Sequence, residues 1–177
     1  MAETQGGPAV GGATDQALPL ELYFVRHGPA GSASAWQGDD ADRPLTDKGR
    51  ALTEKVAGAL ARAGTEVDVI ISSPYVRAVQ TAEIAALALG VQQAVVLDDM
   101  LEPGFMLEHL GPILGRHSDA RRVMFVGHES GFSVVIGQLV GSADLVLRKA
   151  GVAMVELPDR TKMHGTLCLL IPPSLLG

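Results

Sequence analysis

The chain has 177 residues, enough for one domain with a sizeable core. It is 47% hydrophobic and 19% charged, values of an ordinary globular protein rather than a disordered one. Its net charge of -6 leaves no overall basic field, which excludes a general attraction to nucleic acid or an anionic membrane surface, so a positive site for an anion must be built locally.

Met1 to Pro19 is rich in Gly, Ala, Thr and Gln. It lacks the basic and apolar regions of a secretory signal and reads as a flexible tail, residues 1–19, ahead of one domain over 20–177. No apolar stretch reaches the ~18 residues of a membrane span, so the expected location is the cytoplasm. Leu20 to Val25 reads as a buried strand, with Arg26, His27 and Gly28 directly after it. Residues 28–44, rich in Gly, Ser, Asp and Pro, read as a long loop of the kind that is functional or mobile.

Thr46 is an N-cap candidate with Asp47 in the first turn. Leu52, Val56, Ala59, Leu60 and Ala63 then recur at helical spacing up to Gly64. Val67 to Ile71 reads as a second strand, ended by Ser72-Ser73-Pro74. A helix from about Tyr75 to Leu89 follows and is closed by Gly90. Ala94 to Leu97 is a third short strand and Asp98 to Gly104 a loop, with a helix over about Met106 to Leu114. Val123 to Val126 is a fourth strand ending at Gly127-His128, before a helix over about Phe132 to Leu139. Val152 to Leu157 and Thr166 to Ile171, joined by a polar turn at Asp159-Arg160, read as a hairpin. The lone cysteine, Cys168, lies in the apolar run Leu167 to Ile171 and reads as a buried thiol; no intramolecular disulfide can form.

Alternating strands and helices predict an α/β fold. It is a single domain with a mostly parallel central sheet, helices on both faces and an antiparallel C-terminal portion. In such sheets ligands sit beyond the carboxyl ends of the strands. Arg26-His27, Ser72 to Arg77 and Gly127-His128 all lie just past predicted strand ends, so three distant segments converge on one rim. Either histidine alone is more often structural, and either arginine alone an ion-pair partner. Together they make a cationic pocket suited to a phosphate-like anion, for which arginine supplies planar, multidentate donors. An unprotonated imidazole can attack phosphorus when a hydrogen bond at its other nitrogen fixes the tautomer. Metal ligation is the rival use of two histidines, but no Cys, Asp or Glu stands at ligand spacing, and Gly127-His128-Glu129 lacks the second histidine of His-Glu-x-x-His. No metal and no cofactor is expected.

Four stretches, in order, resemble the motifs of the histidine phosphatase (phosphoglycerate-mutase-like) superfamily. Phe24 to Gly28 is similar to its Arg-His-Gly signature, and Arg43-Pro44-Leu45-Thr46-Asp47-Lys48-Gly49 to its Leu-Thr-x-x-Gly helix start. Ser72 to Ala82 is similar to its Ser-Ser-x-x-x-Arg-x-x-Gln-Thr-Ala segment, and Val126-Gly127-His128 to its later Gly-His motif. The resemblance implies a metal-independent phosphatase. His27 is then the phosphoryl acceptor, Arg26 and Arg77 hold phosphate oxygens, and His128 donates to the phosphoryl group. Glu102, or failing it Asp99, is the candidate general acid, and Arg43 a candidate substrate contact. The short length and the Arg-Pro-Leu-Thr stretch most resemble the SixA-type members, which implies protein phosphohistidine as substrate. A small phosphate ester (sugar or nucleotide phosphate) is the alternative, and a non-catalytic phosphate-binding module a further one; neither nucleic acid nor membrane is an expected partner.

Overall fold

The structure, a computed structural model, describes residues 19–141 and 144–176. Residues 1–18 of the tail expected at the N-terminus lie outside them. Six strands form one sheet: β1 (Leu20–Arg26), β2 (Val69–Ser72), β3 (Val95–Leu97), β4 (Arg122–Gly127), β5 (Val152–Leu157) and β6 (Thr166–Ile171), in the order β3-β2-β4-β1-β5-β6. The pairs β1–β4, β2–β4 and β2–β3 are parallel, and β1–β5 and β5–β6 antiparallel. This is the mixed sheet that the alternation of elements predicts.

β1 is apolar almost throughout because both its faces are covered. Leu22 and Phe24 point into one core, with Phe125 of β4 and Val155 of β5. Tyr23 and Val25 point into the other, with Met124, Val126 and Val152. Helices α1 (Asp47–Arg62) and α2 (Val76–Leu89) cover the second face with small side chains: Val56, Ala57 and Leu60 from α1, Ala78, Ala82, Ala85 and Ala86 from α2. Helices α3 (Leu107–Arg116) and α4 (Gly131–Val140) cover the first with larger ones: Leu110, Ile113, Phe132, Val135, Ile136 and Leu139. Phe132 meets Phe24 edge-on at 5.4 Å between ring centroids, a favourable aromatic geometry.

The helix ends follow their signals. The Thr46 hydroxyl accepts from Gly49 N at 3.0 Å, which satisfies one of the donors a helix start leaves unpaired. α2 ends at Gly90 with φ 74°. The loop expected over 28–44 contains two short 3₁₀ turns, Ala33–Ala35 and Asp40–Asp42, and that over 98–104 contains another at Asp99–Leu101.

Cys168 corrects the sequence reading: it is exposed, not buried. β6 is an edge strand. Met154 pairs with Leu169 but Val155 pairs with Leu167, so Cys168 is the extra residue of a bulge. An apolar run implies burial on both faces only in a central strand. At this edge Leu170 too is 41% exposed.

Candidate active site

β1, β2 and β4 end side by side, and their carboxyl ends carry the pocket. The backbone continues the ladder onto β4 for one residue beyond β1 and β2: His27 N donates to Gly127 O at 3.0 Å and Ser73 N to Val126 O at 2.9 Å. His27, Ser73 and His128 are thereby fixed relative to one another by main-chain hydrogen bonds. Arg77 enters from the first turn of α2. All four of His27, Ser73, Arg77 and His128 are buried.

The loop after β1 reaches the pocket by crossing the first turn of α1 at two glycines. A Cβ on Gly49 would collide with the carbonyl of Pro29, and one on Gly28 would press on Thr53 Oγ1 and lie 3.0 Å from Gly49 O. Only backbone fits on backbone here, which gives the Leu-Thr-x-x-Gly pattern its physical reason. Gly28 N donates to Thr81 Oγ1 at 3.1 Å, and Leu45 N to Gln80 Oε1 at 2.9 Å. The Gln-Thr pair of α2 thus pins both ends of the segment that follows the nucleophile candidate.

His27 has its tautomer set by its partners. Nδ1 lies 2.7 Å from Gly28 O. A carbonyl can only accept, so Nδ1 carries the proton and Nε2 the lone pair. Arg77 Nε donates to that Nε2 at 3.3 Å. Burial pushes the His27 pKa down to about 3, the Gly28 hydrogen bond opposes this, and His128, Arg77 and Arg26 push it further down. Burial likewise pushes His128 down to about 4, with Arg77 adding to it. Both rings are neutral at pH 7, and a neutral imidazole with an aimed lone pair is a nucleophile. The two rings lie 5.2 Å apart, His128 Nε2 is 2.8 Å from Ser73 Oγ, and the Tyr75 ring meets His128 edge-on at 4.9 Å.

The arginines are held differently. Arg77 donates from NH1 to Asp40 O at 2.6 Å and from NH2 to Asp40 Oδ2 at 2.9 Å, with Cζ 4.7 Å from the centroid of the Tyr75 ring. Arg26 donates from NH1 to Leu147 O at 2.9 Å, while its buried Nε has no hydrogen-bond partner among the described residues. Leu147 is itself placed by Ser133 Oγ, which receives Leu147 N at 3.0 Å and bonds Glu129. Arg43 is stapled to its own loop, donating to Ala30 O at 2.8 Å, Gly31 O at 3.3 Å and Asp40 Oδ1 at 2.8 Å.

His27, Arg77 and His128 are therefore brought together as the sequence predicts, and Arg26 flanks them. Arg43 joins them through Asp40. Glu102 is exposed at the end of the 3₁₀ turn Asp99–Leu101, and no hydrogen bond ties its side chain to the pocket. That turn does lie against the end of β4: a Cβ on Gly127 would be 3.3 Å from Leu101 O. Asp99 stands in the same turn. Sequence reasoning missed Asp40, and it placed Ser73 and Tyr75 on the rim within Ser72 to Arg77 without singling them out. Asp40 had one legible signal, its position three residues before Arg43 in a 3₁₀ turn, where the two side chains pair.

The geometry matches known proteins. The sequence model of the Histidine phosphatase superfamily (branch 1) fits residues 22–107, from β1 through the Glu102 loop, and all four motifs stand in order around one pocket. The chain belongs to the histidine phosphatase superfamily. Its fold extends the likeness beyond the matched segment. The solved protein histidine phosphatase SixA, complexed with tungstate, superposes with a TM-score of 0.80 at 22% identity, over 89% of this chain and 100% of that one. A protein assigned as phosphohistidine phosphatase SixA from Nakamurella multipartitia gives 0.69 at 25% identity, over 90% and 99%. An uncharacterised protein of Picosynechococcus sp. (strain ATCC 27264 / PCC 7002 / PR-6) is 48% identical over 69 residues, 39% of this chain. The match spans 41% of that relative's length.

Proposed function

We propose that the protein is a phosphatase that removes the phosphoryl group from protein phosphohistidine by way of a phosphorylated His27. The observation that carries this reading is the lone pair of His27 Nε2, fixed by Nδ1 on Gly28 O and flanked by Arg77 Nε. The solved SixA whose fold the chain shares is a protein histidine phosphatase.

In the first step His27 Nε2 attacks phosphorus in line with the leaving atom. The equatorial oxygens take on charge, which Arg77, Arg26 and the proton-bearing nitrogen of His128 stabilise. The buried Arg26 Nε, unpartnered among the described residues, is a donor still available for an oxygen. In the second step water attacks the phosphoenzyme and the electron pair of the P–N bond returns to Nε2. Nδ1 keeps its proton on Gly28 O throughout, so His27 ends neutral and ready for the next turn. For an ester substrate the leaving alkoxide needs a proton, and Glu102 on the loop beside β4 is the assigned donor. Arg43 acts on substrate through the loop that it staples.

The test is covalent labelling. After incubation with a phosphorylated substrate and an alkaline quench, acid-labile phosphate is expected on His27, and His27→Ala should lose both label and turnover. A label elsewhere, with an active His27→Ala enzyme, would sink the assignment.

A further inference from the structure

A carboxylate sits on the arginine that touches the nucleophile candidate. Asp40 holds Arg77 twice, through its carbonyl and through Oδ2, and holds Arg43 through Oδ1. Its side chain is nonetheless 45% exposed, against 4% for Arg77. A carboxylate that served only as an internal counter-ion would be expected to turn inward with its partner. Asp40 instead keeps an open side to solvent, while His27, Ser73 and His128 are buried.

From His27 Nε2 the contacts run outward in one chain: Nε2 to Arg77 Nε, across the guanidinium to NH2, and from NH2 to Asp40 Oδ2. A phosphoryl group in front of Nε2, with its equatorial oxygens on the Arg77 guanidinium, therefore comes within one guanidinium's width of the Asp40 carboxylate. We infer that Asp40 is the specificity-determining residue of this site, accepting a hydrogen bond from the ring N–H of a leaving imidazole and so selecting phosphohistidine over phosphate esters. This rests on the phosphatase reading above and names the feature that chooses its substrate class.

The chemistry of the two substrate classes separates them. In a phosphohistidine protonated at its free ring nitrogen, His27 Nε2 forms a bond to phosphorus and the P–N bond to the substrate breaks. The electron pair goes to the leaving nitrogen, and the product is a neutral imidazole that kept its N–H. No proton has to be delivered. What helps is an anion at that N–H, which favours the positively charged, reactive form of the ring; a carboxylate beside an imidazolium does this. An ester presents no such N–H and needs a proton instead. Asp40 cannot supply one at neutral pH, since the hydrogen bond from Arg43 and the charge of Arg77 hold its carboxyl below the usual carboxylate range. It also faces the anionic ester with a like charge.

Two rival roles make different forecasts. If Asp40 only orients Arg77, its loss harms every substrate alike. If it only plugs the Arg77 fork against phosphate, its loss helps every substrate alike. The experiment measures kcat/KM for a phosphohistidine peptide and for an aryl phosphate in wild type, Asp40→Asn and Asp40→Glu. The expected result is that Asp40→Asn lowers the ratio of phosphohistidine to aryl phosphate about tenfold or more, the scale of a lost charge-assisted hydrogen bond. Asp40→Glu, which restores the charge, should recover part of that ratio. An unchanged ratio, whether both rates fall or both rise, overturns the inference while leaving the phosphatase reading intact. A wild-type protein that turns over neither compound overturns that reading instead.

Discussion

His27 and His128 are 7% and 4% exposed and lie among arginines, so the folded protein resists protonating either ring. Free histidine titrates near 6.5, and the folded values lie near 3 and 4. Between those values and 6.5 the unfolded chain binds protons that the folded chain refuses. Stability therefore falls as pH drops from 6.5 toward 4 and is insensitive to these two groups above about 7. The slope is about 1.4 kcal/mol per pH unit for each histidine within the window. Denaturant unfolding of wild type and His27→Gln at several pH values from 7.5 to 4.5 checks this. The variant should lose stability less steeply below pH 6, by about that slope. Identical slopes would mean that His27 titrates normally and is not held neutral by its site. The same two histidines were legible in the sequence because each stands one residue past an apolar strand beside a glycine. Asp40 was legible only as a neighbour of Arg43; its hold on Arg77 arises from a pairing across 37 residues that no local pattern encodes. The Leu147 carbonyl on Arg26 was illegible for a plainer reason: a backbone oxygen has no residue type.

At the scale of elements, the pocket depends on how closely the loop after β1 is pressed onto α1. Pro29 O accepts from Thr46 N at 3.0 Å and from the Thr46 hydroxyl at 3.2 Å, while Gly49 leaves no side chain between helix and loop. Gly49→Ala must push Pro29 away, and Pro29 is two residues from His27. We expect a loss of about 1–3 kcal/mol, the usual cost of overpacking, together with a fall in turnover larger than the loss of folded protein explains. Gly58→Ala in the same helix is the control. Its Cβ would meet only the flexible end of Arg62, at 3.3 Å, so the gain in helix propensity should leave stability equal or higher by up to about 1 kcal/mol. Thermal unfolding and kcat of the pair decide it, and equal behaviour of the two variants would refute the close-contact account. Element types were readable throughout because α1 and α3 bury one stripe, while β1 and β4 bury both faces and so carry unbroken apolar runs. The edge strand β6 carries such a run too, and there the same cue misled: Cys168 and Leu170 are exposed although their neighbours in sequence are all apolar. Apolar content reports burial only where a second layer exists to do the burying.

The whole molecule spends its helices on the two faces of the sheet. α1 and α2 cover one face and α3 and α4 the other, so among the described residues no helix is left over to roof the strand ends. What meets them is the segment 28–46, with Asp40 half exposed, together with the turn at Leu101 and the Leu147 carbonyl. No described helix is long and apolar enough to cross a membrane. A rim bordered by loops and short turns rather than roofed by a helix admits a phosphorylated side chain that projects from a folded surface, whereas a roofed site would admit only small or unfolded substrates. This makes a forecast about substrate size that is independent of leaving-group chemistry. For the same phosphohistidine presented in a folded protein domain and in a short peptide, kcat/KM should agree within about tenfold, a difference of ~1.4 kcal/mol. The peptide loses more conformational freedom on binding, and the domain must fit its surface to the rim, so the two costs oppose each other. The measurement is release of phosphate from both substrates, with free phosphohistidine as a third. A preference of a hundredfold or more for the peptide and the free amino acid over the folded domain would show that segment 28–46 closes the site against proteins. In that case Asp40 and Arg43 would be acting as a lid on a small-molecule enzyme. Comparable rates on the domain and the peptide would show that segment 28–46 leaves the site open to a phosphorylated side chain on a folded surface.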